Sequence, residues 1–246
     1  MLLFTDQQRQ PQHWPVGWVE QRLPSFARLK RHGIEFKNAF TAACQCTPSR
    51  ATLLTSTYPT VHGVTETFSP PSLMPTGGQL QTFQQNLIRL MADAGYHVEY
   101  KGKWHNSLPI GDVWTDADAE HLRKAYGVPG WNPPDAGDSI TDVTTLCGGW
   151  ANNDGRFVHG MSPGDAKQVK GWGTSILDFI KTYKGDKPFC LIISLVNPHD
   201  IEYFPNGFDR GAWPTSTSTP VCRSWSTSTS ARSSTRLTLA ASPTTP

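Results

Sequence analysis

The sequence lacks any apolar run near the ~20 residues that a membrane-spanning helix needs, so no membrane partner is expected. It also lacks an excess of either charge. Its 22 basic and 20 acidic residues leave a net +2, which excludes a strongly basic nucleic-acid surface. Cysteine is sparse: five residues, an odd number without regular spacing, do not make a disulfide framework. The opening Met1-Leu2-Leu3-Phe4-Thr5-Asp6 has neither the basic start nor the long apolar stretch and cleavage site of a secretory leader. A cytoplasmic location is therefore expected. What is present is a chain of 246 residues, 37% hydrophobic and 17% charged, with 21 Gly, 20 Pro and 9 Trp. That composition suits a loop-rich globular enzyme domain better than a helical bundle.

Two regions differ in character. Residues 1–212 alternate strand-like and helix-like segments. From Pro214 onward Ser and Thr dominate, no acidic residue follows Asp209, and no lysine follows Lys187. Too few large apolar side chains remain there to offset the entropy of ordering, so residues 213–246 are expected to form a disordered tail, or a frameshifted one. Four strands are predicted, at Leu2–Thr5, Ile34–Phe40, Tyr96–Tyr100 and Phe189–Val196. The last is the unbroken apolar run of a strand buried on both faces. Leu80, Phe83, Leu87, Leu90, Met91 and Ala94 recur at helical spacing, with Gly95 as a stop. Asp165 is placed to cap a second helix with a stripe of Val169, Trp172, Ile176, Phe179 and Ile180. Pro24 and Gly33 bracket a third. Strands alternating with helices imply an α/β domain with a largely parallel sheet flanked by helices.

In such a sheet, ligands bind beyond the carboxyl ends of the strands. The residues just beyond the predicted strands form a coherent set: Asp6-Gln7, then Cys44-Gln45-Cys46-Thr47-Pro48-Ser49-Arg50, then Gly102-Lys103-Trp104-His105, then Asn197-Pro198-His199-Asp200. Oxygen ligands, a cysteine, two cations and two histidines on one edge are an inventory for binding and attacking an oxyanion ester. Pro48 suits the first turn of a helix, which puts Cys46 near the positive end of a helix dipole. Cys44-x-Cys46 has no second pair at zinc spacing, and Cys44 reads as structural.

Cys46-Thr47-Pro48-Ser49-Arg50 resembles the first signature of the sulfatase family, Cys-x-Pro-Ser-Arg. Gly95-Tyr96 leading to Gly102-Lys103-Trp104-His105 resembles the second, and Asn197-Pro198-His199-Asp200 a third segment. The three occur in the family's order over about residues 1–210. The resemblance implies an alkaline-phosphatase-like fold and hydrolysis of a small-molecule sulfate ester, as in arylsulfatases. It implies a nucleophile made when a separate maturation enzyme oxidises Cys46 to formylglycine. One hydroxyl of the hydrated aldehyde attacks sulfur, and the other loses its proton to release the sulfate. By the same resemblance Arg50 holds the hydrated aldehyde, Lys103 grips a sulfate oxygen, and His105 binds and deprotonates the nucleophile. His199 donates to the sulfate or protonates the leaving alcohol, while Asp200 orients His199 or caps the next turn. Asp6, Gln7 and the residue derived from Cys46 stand where the family begins its Ca²⁺ site.

The sequence also departs from that pattern. The family completes its metal site with an Asp followed by Asn or His, and adds a second sulfate-binding lysine, both after the Asn-Pro-His segment. Asn153-Asp154-Gly155 resembles the former but precedes His199. The fold is therefore expected to be truncated on its C-terminal side and to begin inside its first strand. Ser56 stands where the longer signature has Gly. Two alternatives remain open: a phosphonate monoester or phosphodiester hydrolase of the same superfamily, and an inactive sulfatase fragment.

Overall fold

A computed structural model describes residues 1–9, 13–67, 78–112, 114–133, 135, 157–158 and 175–199. The expected tail at 213–246, Asp200, and the stripe residues Asp165, Val169 and Trp172 lie outside them. The chain divides into two compact units, the first containing residues 1–8 and 40–207, the second 9–39 and 208–246.

The first unit is built on three strands: β1 (Leu2–Asp6), β2 (His97–Gly102) and β3 (Phe189–Pro198). All pair in parallel, in the order β1-β3-β2. β3 is central because both its faces are apolar. Cys190 and Ile192 join one core cluster, whereas Leu191 and Ile193 join the other. Successive side chains of a strand point to opposite faces, so the unbroken apolar run serves two layers at once.

Helices cover both faces. On the Ile192 side lie α3 (Cys46–Thr55), contributing Ala51 and Leu54, and α5 (Leu87–Asp93), contributing Ile88. On the Leu191 side lies the helix Ile176–Thr182, with Ile176 and Phe179. It starts where the Ser175 hydroxyl accepts from the Asp178 N–H at 3.1 Å. α5 is shorter than its stripe, because Asn86 caps it by accepting from Arg89 N–H at 3.1 Å. Leu80 still reaches the core, but Phe83 is exposed. Short turns complete the unit: α4 (Pro59–His62) and α6 (Asp116–His121), the latter running into a π-helical turn at Leu122–Tyr126.

The second unit holds α1 (Trp18–Arg22) and α2 (Pro24–His32), the latter opened by Pro24 and closed at Gly33 as its bracket predicts. The strand expected at Ile34–Phe40 is not formed. Ile34, Phe36 and Phe40 are exposed, and among the described residues no strand pairs with them to turn their alternation into a ladder. Among the described residues no helix is long and apolar enough to cross a membrane.

Candidate functional site

The ends of the three strands and the start of α3 bring the motif residues together. β1 ends at Asp6, which is buried. β2 ends at Gly102, whose φ of 103° and close approach to β3 admit no side chain: a Cβ there would lie 1.9 Å from the Ser194 carbonyl oxygen. The chain then turns, Lys103 N–H donating to Ser194 O at 2.9 Å. β3 leads directly into His199, also buried.

Lys103 and Arg50 both reach the Asp6 carboxylate. Lys103 Nζ stands 2.7 Å from Asp6 Oδ2, and an Arg50 terminal nitrogen 3.3 Å from the same oxygen. Burial pushes the Asp6 carboxyl up, but Arg50, Lys103 and His199 outweigh it and hold the group below its ordinary value. Arg50 is itself tied down. Its other terminal nitrogen donates to Lys103 O at 2.9 Å and to Ser194 Oγ at 2.6 Å, and its guanidinium lies over the Phe4 ring. The Lys103 carbonyl is a hub that also accepts from Ser194 Oγ at 2.8 Å and Tyr100 Oη at 2.7 Å. Burial pushes the Tyr100 hydroxyl up to about 12, so it stays a neutral donor.

Cys46 is the first residue of α3, after an extended Gln45, and is partly exposed. Its Sγ lies 3.3 Å from Thr67 Oγ1. Burial pushes the thiol up, but a hydrogen bond and charge from His105, then Lys103 and Thr67, bring it down to about 7. The His105 ring is steadied by Thr47, whose Oγ1 lies 3.4 Å from Nδ1. Cys44 is exposed, which removes it from any core role.

Three contributors carry no motif signal: Ser194, Tyr100 and Asp135. Ser194 lies in the apolar run, and Tyr100 reads as an ordinary strand aromatic. Asp135 lies 30 residues from His105, yet its carboxylate binds that turn.

Calcium needs about six to eight oxygen ligands. Among the described residues no three His, Cys, Asp or Glu side chains are grouped to hold a metal ion. Of the predicted set, Asp6 already faces two cations and Gln7 is exposed. The described residues do not fit a calcium ion. Formylglycine fits better: Cys46 is accessible, sits at a helix start, and has an imidazole beside it.

The sequence matches the Sulfatase family model over residues 1–236. The chain belongs to the sulfatase family. It is 24% identical over 216 residues to the ulvan-active sulfatase of Formosa agariphila, covering 84% of this chain and 36% of that one. It is 27% identical over 183 residues to the N-acetylglucosamine-6-O-sulfatase of Bacteroides thetaiotaomicron, covering 72% and 26%. The chain thus spans about a third or a quarter of these sulfatases' lengths. The solved structure of BT4656 in complex with its substrate D-glucosamine-2-N,6-O-disulfate aligns with a TM-score of 0.42 at 22% identity, over 72% of this chain and 30% of that one. The sulfatase fold expected from the motifs agrees with the parallel α/β sheet seen here.

Proposed function

We propose that this chain carries the nucleophile half of a sulfate-ester hydrolase site. The observation that bears most weight is the meeting of Cys46, at the start of α3, with His105 and Lys103 from beyond β2, while Arg50 of the same helix reaches Asp6 and the Lys103 carbonyl. Once a maturation enzyme has oxidised Cys46 to formylglycine, the hydrate of that aldehyde supplies the attacking hydroxyl.

The chain's own residues do the rest. His105, beside residue 46, takes the hydroxyl proton, the general-base task that a positioned imidazole performs most often. The Lys103 ammonium and Arg50 guanidinium supply positive charge where an anionic ester must approach. In a buried site such charge is effective because solvent does not screen it. Arg50 is fixed by Asp6, Ser194 and Lys103 O, so little reorganisation is needed when charge develops on the ester. His199, buried at the end of β3, donates a proton toward the leaving alcohol. A sulfated carbohydrate is the substrate class favoured by the relatives, since one is named for ulvan and another for N-acetylglucosamine 6-O-sulfate.

The test is parallel hydrolysis of an aryl sulfate and an aryl phosphonate monoester by matured protein. Preference for the sulfate, abolished in Cys46→Ala, is the expected result. Preference for the phosphonate would move the reading to the other branch of the superfamily. No hydrolysis of either ester by fully converted protein would assign the chain to inactive fragments.

A further inference from the structure

One carboxylate holds the backbone of the turn that carries His105. Asp135 Oδ1 accepts from the Trp104 N–H at 2.8 Å, and Oδ2 accepts from the His105 N–H at 2.6 Å. Two successive amides aimed at one anion make a concavity of the kind that cradles phosphates. Here the chain's own Asp135, only 7% exposed, fills it. The backbone at this turn needs such a hold. His105 has φ 47°, in the left-handed region that side-chain-bearing residues avoid unless their surroundings impose it. Trp104 cannot relax to share that strain. It is fully buried against the Tyr100 and Tyr126 rings, at 5.8 and 5.3 Å between centroids, and its indole N–H donates to Ser107 Oγ at 2.9 Å. The backbone conformation at His105 therefore decides where its ring goes.

We infer that Asp135 is a positioning residue: by binding the amides of Trp104 and His105, it fixes the left-handed turn and aims the His105 imidazole at Cys46. This rests on the reading of His105 as the base at the Cys46-derived nucleophile. Asp135 touches neither ester nor nucleophile in that role and acts through the backbone of its neighbour.

The test uses two variants and two readouts. Asp135→Asn keeps the side chain's shape and one acceptor oxygen, and Asp135→Ala removes both acceptors. The first readout needs no turnover: alkylation of unmatured Cys46 by iodoacetamide at pH 7, followed by peptide mass spectrometry with exposed Cys44 as internal reference. A thiol without its imidazole neighbour reacts more slowly, so the Cys46 rate should fall about fivefold in Asp135→Asn and further in Asp135→Ala. His105→Gln should fall as far, and adding Asp135→Asn to it should change nothing more. The second readout is turnover of an aryl sulfate by matured protein, where Asp135→Asn should lower kcat about tenfold and leave KM within about twofold. The alkylation pattern without sulfatase turnover in the wild type would sink the functional reading and keep the positioning role. A folded Asp135→Asn with the wild-type alkylation rate would overturn the inference. So would an additive effect in the His105→Gln background, or failure of both Asp135 variants to fold where His105→Gln folds.

Discussion

The Nζ of Lys103 lies 2.7 Å from the Oδ2 of Asp6, and the lysine side chain is wholly buried. This ion pair joins the ends of β1 and β2 across β3. Neither charge can be left alone there, because a buried ion without its partner keeps its desolvation cost. Lys103→Met is expected to destabilise the fold by about 3 kcal/mol, and Asp6→Asn by a similar amount, because it strands both Lys103 and Arg50. The double variant should cost less than the sum. Urea midpoints at constant slope measure all three.

The same contact has a pH signature. The folded-state pKa of Asp6 is lowered, so the unfolded chain takes up the proton first on acidification. Its contribution to stability is complete above about 4, the ordinary carboxyl value, and is lost as pH falls through the lower folded value. Asp6→Asn should remove that part of the acid transition and leave the rest, as followed by circular dichroism.

His62 acts in a higher window. Its Nδ1 accepts from the Val64 N–H at 3.1 Å, so Nε2 carries the proton and faces Thr52 Oγ1 at 3.0 Å. Burial lowers its pKa, which keeps the folded imidazole neutral where the unfolded one charges. Between the folded value and about 6.5 the unfolded state holds more protons, so stability rises with pH there and is complete above about 6.5. Urea midpoints at pH 7.5 should exceed those at pH 5.5, and His62→Gln should flatten the difference.

Ser56 closes α3 with φ 56°, a left-handed cap that glycine adopts at no cost. Ser56→Gly is therefore expected to stabilise the protein by about 0.5–1 kcal/mol, read as a rise in Tm. Ser56→Val should lower it.

Asp6, Lys103, His105 and His199 were legible in the sequence because they stand at or just beyond the ends of strands, and the carboxyl edge of a parallel sheet gathers such residues. Cys46 and Arg50, on α3, were legible instead from the Cys-x-Pro-Ser-Arg signature. Phe189–Val196 was legible because burial on both faces needs an unbroken run. Ile34–Phe40 misled, since alternation marks a strand only if a neighbour supplies the ladder. Asp135 was illegible for another reason. Its partners are backbone amides of Trp104 and His105, and amides leave no trace in a pattern of side chains.

The central claim is that residue 46 is the precursor of the nucleophile. Its most direct test is peptide mass spectrometry of the Cys46 segment from protein co-expressed with a formylglycine-generating enzyme, with hydrazide trapping of any aldehyde. The expected result is an aldehyde at residue 46 and an unmodified thiol at Cys44. An unmodified thiol at residue 46, under conditions that convert a known sulfatase in the same cells, would contradict it.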